Sequence, residues 1–173
     1  MKRLNLFVVL VMDKPAPHPM RRTDRETSET FARQVANDAP YGTLVTASAT
    51  GEPYGVPVSP VIEGNVIWFH AAANVGRKFD NLTHNPRCAM VFVSDASPDE
   101  PAFSMNYRSA MFEGHASIVT DQVEKMHALW LICAKWAGGE SLEKRRKMMD
   151  AGIDQVNVWR IDVTHITGKT RAG

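Results

Sequence analysis

Arg77 and Lys78 follow directly on Gly76, and the three open a run, Gly76-Arg77-Lys78-Phe79-Asp80-Asn81-Leu82-Thr83-His84-Asn85-Pro86, that reads as a helix. Before it comes Asn65-Val66-Ile67-Trp68-Phe69-His70, a buried-strand pattern, joined to the helix by the small-residue turn Ala71-Ala72-Ala73-Asn74-Val75. A strand feeding a helix N-terminus offers free backbone N–H groups and the positive end of the helix dipole to an anion. Two cations at that point add full charges, so the expected chemistry is capture of a phosphate-bearing cofactor, with Phe69 and His70 beside it. The bland alternative for Lys78 is an exposed cation in a first helical turn. There it would oppose the dipole, a misfit that a bound anion removes. His70 at a strand end is either a satisfied structural histidine or a proton donor titrating near neutrality.

Positioning these residues falls to an antiparallel sheet. Residues 41–49 alternate with period two and end in the turn Thr50-Gly51-Glu52-Pro53, residues 54–62 form the next strand, and Glu63-Gly64-Asn65 is a hairpin signal into 66–70. Residues 87–93, apolar almost throughout, predict a central strand, and 94–101 a polar loop. Residues 103–119 predict a long strand with bulge sites at Asn106 and Gly114, and 155–163 a last alternating strand before a polar tail at 164–173. Helices are expected from a capping box at Thr23 and Glu26 to the stop at Asn37-Asp38-Ala39-Pro40, from Asp121 to Gly138-Gly139, and over 140–150. Six short strands with hairpins predict a mainly β, α+β domain built as a small closed or partly closed barrel with flanking helices. The βαβα alternation of a doubly wound nucleotide fold is absent.

The totals bound the function. A chain of 173 residues suits one domain with a real core, and a formal net charge of +1 gives no general pull toward nucleic acid or anionic membrane. Cys88 and Cys133 have no metal-like spacing and read as buried free thiols. The six histidines are not paired at metal-ligand spacing, and no metal site is expected. Gly-x-Ser-x-Gly, the phosphate-binding Gly-x-x-x-x-Gly-Lys-Ser/Thr loop and Cys-x-x-Cys are all missing from the sequence. The N-terminal Met1-Lys2-Arg3 and the apolar run after it lack a cleavage site and are too short to span a bilayer. Residues 1–19 are therefore read as an extension before a domain at 20–173, in a cytoplasmic protein.

Tyr54-Gly55-Val56-Pro57-Val58-Ser59, Ile67-Trp68-Phe69-His70, and Gly76-Arg77-Lys78-Phe79-Asp80-Asn81-Leu82 with Asn85-Pro86-Arg87 occur in an order that resembles the FMN-binding split-barrel superfamily. Within it the chain is similar to the nitroimidazole-resistance-like branch of the pyridoxamine-phosphate-oxidase-related proteins. Met20-Arg21-Arg22-Thr23-Asp24-Arg25-Glu26, Tyr107-Arg108-Ser109 and Ile166-Thr167-Gly168-Lys169 also fit that branch. The resemblance implies a six-stranded antiparallel Greek-key split β-barrel and a homodimer with FMN at the subunit interface. It places Lys78, helped by Arg77, on the FMN phosphate and Asn81 near the same end. Val56, Pro57, Val58, Ser59, Phe69 and His70 would line the isoalloxazine. Tyr107 and Ser109 would approach the flavin from the partner chain, although both also suit routine cross-strand pairing. Trp159 would cover the ring or serve as packing. The implied activity is flavin-dependent reduction of small electron-poor molecules such as nitroimidazoles, with NAD(P)H as a possible donor and His70 as the catalytic proton donor. The rival is a non-catalytic flavin or haem binder acting as store or sensor. The paired Arg and Lys residues that hold the substrate phosphate in pyridoxamine-phosphate oxidases have no clear counterpart, so vitamin B6 oxidation is not implied.

Overall fold

The computed structural model describes residues 18–172, so almost all of the expected extension at 1–19 lies outside the described residues. The elements in chain order are β1 (Glu26–Thr27), α1 (Glu29–Asp38), β2 (Gly42–Ala47), β3 (Pro53–Val58), β4 (Val61–Glu63), β5 (Val66–Ala72), α2 (Arg77–His84), β6 (Arg87–Asp99), β7 (Ser104–Ile118), α3 (Gln122–Trp136), α4 (Leu142–Gly152) and β8 (Val156–Arg171). Hydrogen bonding orders the sheet β3-β2-β6-β7-β8-β5-β4, with β1 against β8, and every pairing is antiparallel. This is the split-barrel α+β fold, and six strands result when β3 and β4 are taken as two halves of one and the two-residue β1 is set aside.

Those two halves explain the barrel. The expected single strand over 54–62 breaks at Ser59-Pro60. Its first half pairs with β2 and its second with β5, at opposite ends of the strand order. Proline supplies no N–H to a ladder, and Pro57 and Pro60 bracket the break. Because one short stretch of chain joins both ends of the sheet, the sheet must curl round on itself.

Alternation fills the interior. Leu44, Ile67, Phe69, Met90, Phe92, Phe112, Trp159 and Ile161 are buried in one cluster, closed on one side by Ala32, Val35 and Ala36 of α1. Each fully buried large apolar side chain contributes about 1.5–3 kcal/mol of transfer free energy, so this cluster dominates the stability of the barrel. A second cluster forms on the outer face of β5 and β8, where Trp68 and Val158 meet Ala128, Leu129 and Ile132 of α3 and Met149 of α4. Asp121 caps α3 as expected, accepting from the Glu124 N–H at 2.8 Å.

Four local expectations are corrected. The first helix is capped by Ser28, whose Oγ accepts from the Phe31 N–H at 3.2 Å. Thr23–Arg25 is a separate 3-10 turn, and Glu26 and Thr27 are drawn out as a strand by Lys169 and Gly168 of β8. Residues 94–99, expected as loop, continue β6 past a bulge at Ser94 and pair with β7 down to Asp99 and Ser104. The polar tail is largely strand, because β8 runs to Arg171. Its period-two pattern slips at Thr164, the extra residue opposite Glu113 and Gly114. Gly114 is the bulge site expected there: a Cβ at this position would collide with the Asp162 carbonyl oxygen. Asn106 shows no register shift.

Candidate functional site

The break at Ser59-Pro60 leaves a seam. β3 pairs with β2 along one edge, and β5 pairs with β4 only over Val66 to Trp68, so the far edge of β3 and the Phe69–Ala72 part of β5 have no strand between them. Val56, Pro57, Val58 and Ser59 lie on one side of this seam and Phe69 and His70 on the other. Carrying the β4–β5 register back past Pro60 sets Ser59 level with His70. A seam of this kind presents backbone N–H and C=O groups that the ladder does not use, and such groups need partners.

The helix α2 begins at the end of the seam. The turn from β5 is fixed by two left-handed residues, Asn74 at φ 54° and Gly76 at φ 92°. Asn157 of β8 donates from Nδ2 to Asn74 Oδ1 at 3.1 Å, which holds the turn against the barrel. Gly76 stands at the N-cap without a side chain to cap the helix, so the first-turn N–H groups stay available. A side chain other than hydrogen would be strained at that φ. The helix carries Arg77 and Lys78 at its start. Arg77 reaches across to β3: its Nη2 donates to the Pro53 carbonyl at 3.3 Å, its guanidinium lies 4.9 Å from the centre of the Tyr54 ring, and Glu52 is 3.9 Å away. Lys78 is half-buried and makes no ion pair among the described residues. The two cations therefore divide the work, with Arg77 bridging helix to sheet and Lys78 left free at the uncapped helix start.

His70 projects from the seam with its side chain exposed. Desolvation by the protein around it lowers the imidazole below its ordinary pKa, which favours the neutral ring, with one nitrogen donating and the other accepting.

Tyr107 and Ser109 lie elsewhere. On β2, β6 and β7 the α2 end is marked by the Arg87–His115 pair, whereas Ser109 pairs with Val93. Six residues of strand separate the two rows, about 20 Å at 3.3 Å per residue. Tyr107 has company that the sequence did not reveal. Arg25 Nη1 donates to its hydroxyl at 3.5 Å, and Lys169 is close enough to act on it. Burial, the largest single influence, pushes the phenol up, yet the Arg25 and Lys169 hydrogen bonds and charges together bring it below its ordinary value. Ser109 donates to the Lys169 carbonyl at 3.4 Å. Only tertiary pairing brings Arg25 to Tyr107, 82 residues away in sequence, and both to Lys169, so no local motif announces the cluster.

Three expected contacts turn inward instead. Phe69 and Trp159 are 0% and 2% exposed and stack at 6.2 Å between ring centres, with the Phe79 edge against Trp159. Both side chains belong to the core cluster. Asn81 is 3% exposed and donates to Thr46 Oγ1 at 2.9 Å. It ties α2 to β2.

Among the described residues no three His, Cys, Asp or Glu side chains converge to hold a metal ion, and no helix is long and apolar enough to cross a membrane. A surface hollow of about 320 Å³ at Arg33, Asn37 and Ile62 lies away from the seam. Its arginine is already committed to Glu29, the Gly64 carbonyl and Asn65.

Comparisons with known proteins agree with this architecture. No curated protein matches the sequence significantly. Among solved structures, the chain is similar to a candidate 5-nitroimidazole antibiotic resistance protein from Bacteroides thetaiotaomicron, with TM-score 0.68, 24% identity, and 82% of this chain and 83% of that one covered. It is also similar to the conserved hypothetical protein Rv2991 from Mycobacterium tuberculosis, with TM-score 0.73, 24% identity, and coverage of 88% and 90%. The flavocytochrome Anf3 from Azotobacter vinelandii gives TM-score 0.71 at 18% identity, with 90% and 73% covered. The sequence profile of the pyridoxamine 5'-phosphate oxidase family matches residues 28–170. With the split barrel, the seam and the uncapped cationic helix start all inside that span, the chain belongs to the pyridoxamine 5'-phosphate oxidase family.

Proposed function

We propose that this protein is a cytoplasmic, homodimeric, FMN-dependent oxidoreductase that reduces small electron-poor molecules such as nitroimidazoles, taking electrons from NAD(P)H. The observation that carries the reading is the free Lys78 at an uncapped helix start, set at the end of a seam of unpaired backbone groups. Lys78 and the first-turn N–H groups would hold the phosphate, a charge-assisted contact. The Val56–Ser59 edge would pair with the polar rim of the ring, and His70 would donate a hydrogen bond there and, once protonated from solvent, deliver a proton. A bound flavin supplies electron exchange with donor and acceptor; the protein orients it and keeps water away.

The homodimer is supported by a second feature. Val45, Val93 and Met111 are exposed apolar residues on the outer face of β2, β6 and β7, the face α3 and α4 leave uncovered. They lie between the Arg87 end and the Tyr107 end. A second copy packed on this face, about a twofold axis running across the strands, would set the Tyr107–Ser109 group of one protomer beside the Lys78 end of the other. The test is direct. Purified protein titrated with FMN should bind it, with quenching of flavin fluorescence, and should then oxidise NAD(P)H only when a nitroimidazole is present. Absence of FMN uptake would overturn the assignment. Binding without turnover on any acceptor would favour the alternative, a non-catalytic flavin or haem binder, for which the neutral imidazole of His70 is a suitable axial ligand.

A further inference from the structure

Beyond the barrel, β6 and β7 continue as a two-stranded arm. The last residue of β7 that pairs with β8 is Tyr107, opposite Arg171; from there to the Asp99–Ser104 pair no third strand joins the arm's backbone ladder among the described residues. From the base, the Arg171 side chain runs along the arm, pairing with Asp99 at 2.7 Å and donating to the Met105 carbonyl and Asn106 Oδ1. At the tip stands Phe103, 98% exposed and held in the left-handed region at φ 48°. Both facts are unfavourable for the isolated chain. A bulky residue is strained there, where Gly or Asn sits easily, and an aromatic ring in water forgoes the burial that justifies its size.

We infer that this arm grips a second copy of the same chain, with Phe103 as its anchor. Two observations name that occupant. Met105 lies on the same β7 face as Met111 and is also exposed, with Tyr107 and Ser109 between them, so the face of the proposed interface continues into the arm toward Phe103. The arm also carries acidic side chains, and the opposite end of β6 carries an arginine. Asp95 and Glu100 are exposed and make no ion pair among the described residues, and the same holds for Arg87 at the opposite end of β6. A twofold copy with its strand ends reversed lays each acidic arm on the other's Arg87 end, which suits the surface to itself. The inference rests on the homodimer reading given above and adds what holds it.

The test uses Phe103→Asn in the full chain, since Asn tolerates the left-handed conformation and the fold should keep or gain stability. Sedimentation equilibrium should show the dimer dissociation constant rising about 10- to 100-fold, the effect of losing one buried aromatic anchor. The charge reversal Glu100→Lys should weaken the dimer, and adding Arg87→Glu should restore it. A monomeric wild-type chain at all concentrations would overturn the dimer reading together with this inference. A dimeric wild type whose constant is unchanged by Phe103→Asn would overturn the arm alone. If the wild type floats with anionic lipid vesicles and Phe103→Asn abolishes flotation at an unchanged dimer constant, the tip belongs to a lipid surface and the inference fails.

Discussion

Replacing Lys78 with Ala isolates the phosphate contact from the rest of the cofactor. Lys78 makes no ion pair among the described residues, so its removal leaves no buried partner stranded. The expected loss is that of one charge-assisted hydrogen bond, about 1.5–3 kcal/mol. Because the side chain is only half-buried, solvent screening places the effect in the lower half of that range. That corresponds to an FMN dissociation constant raised by about 10- to 30-fold. Calorimetric titrations with FMN and with riboflavin, which lacks the phosphate, give the discriminating ratio. Wild type should prefer FMN, and Lys78→Ala should lose most of that preference while keeping its riboflavin affinity. Added salt should weaken FMN binding to wild type more than to the variant. If both ligands weaken equally, the substitution has disturbed the helix; if neither weakens, Lys78 does not touch the phosphate. Either result would refute the anchor.

Other outcomes follow from side chains already placed. His70, whose pKa lies below 6.5, should give an NMR titration midpoint under that value. Because the folded state takes up this proton less readily than the unfolded chain, stability attributable to His70 is complete above about pH 6.5 and declines as pH falls toward the folded pKa. His70→Asn should flatten that part of the urea-stability profile against pH, and an identical profile would show the group is not responsible. Trp159→Ala should cost about 3–5 kcal/mol in urea unfolding, the range for a large aromatic removed from a core; a cost under about 1 kcal/mol would place Trp159 outside the core. Burial pushes the Cys88 thiol up to about 12, so in the folded protein it should resist a thiol reagent at pH 8 and react once unfolded. Rapid labelling of native Cys88 would contradict its burial.

How much of this was legible in the sequence depended on the distance over which each feature is encoded. The hairpin at Gly64, the bulge at Gly114, the central place of β6 and the helix opening at Gly76 were readable because each is a local pattern of alternation or turn chemistry. The break at Ser59-Pro60 was not, since Val56, Val58, Val61 and Ile62 keep an apolar pattern across it and only the pairing partners change. β8 beyond Val163 was hidden by Thr164, which reverses the inside–outside order for everything after it. For the site, residue type singled out Lys78, which makes no ion pair among the described residues, and His70, which is exposed. It could not tell which aromatic faces inward: Phe69 and His70 are neighbours on one strand, so one had to be core when the other was exposed. Asn81 shows the same limit, because a polar residue one helical turn from a cation looks like a ligand contact until Thr46 is found opposite it.

The strand that breaks at Ser59-Pro60 has a consequence for solubility. An open sheet of this size would expose two full-length edges, each a template for adding strands from other molecules. Here the two ends of the strand order are halves of one strand, so the terminal strands of the sheet are only β3, with six residues, and β4, with three. The longer of them begins with Pro53 and contains Pro57, residues that cannot donate to an incoming strand. Tight control of both edges thus rests on a single short segment. If that segment detached, both edges would be released together, so loss of the 53–63 strand is the step at which this barrel would become prone to edge-to-edge aggregation.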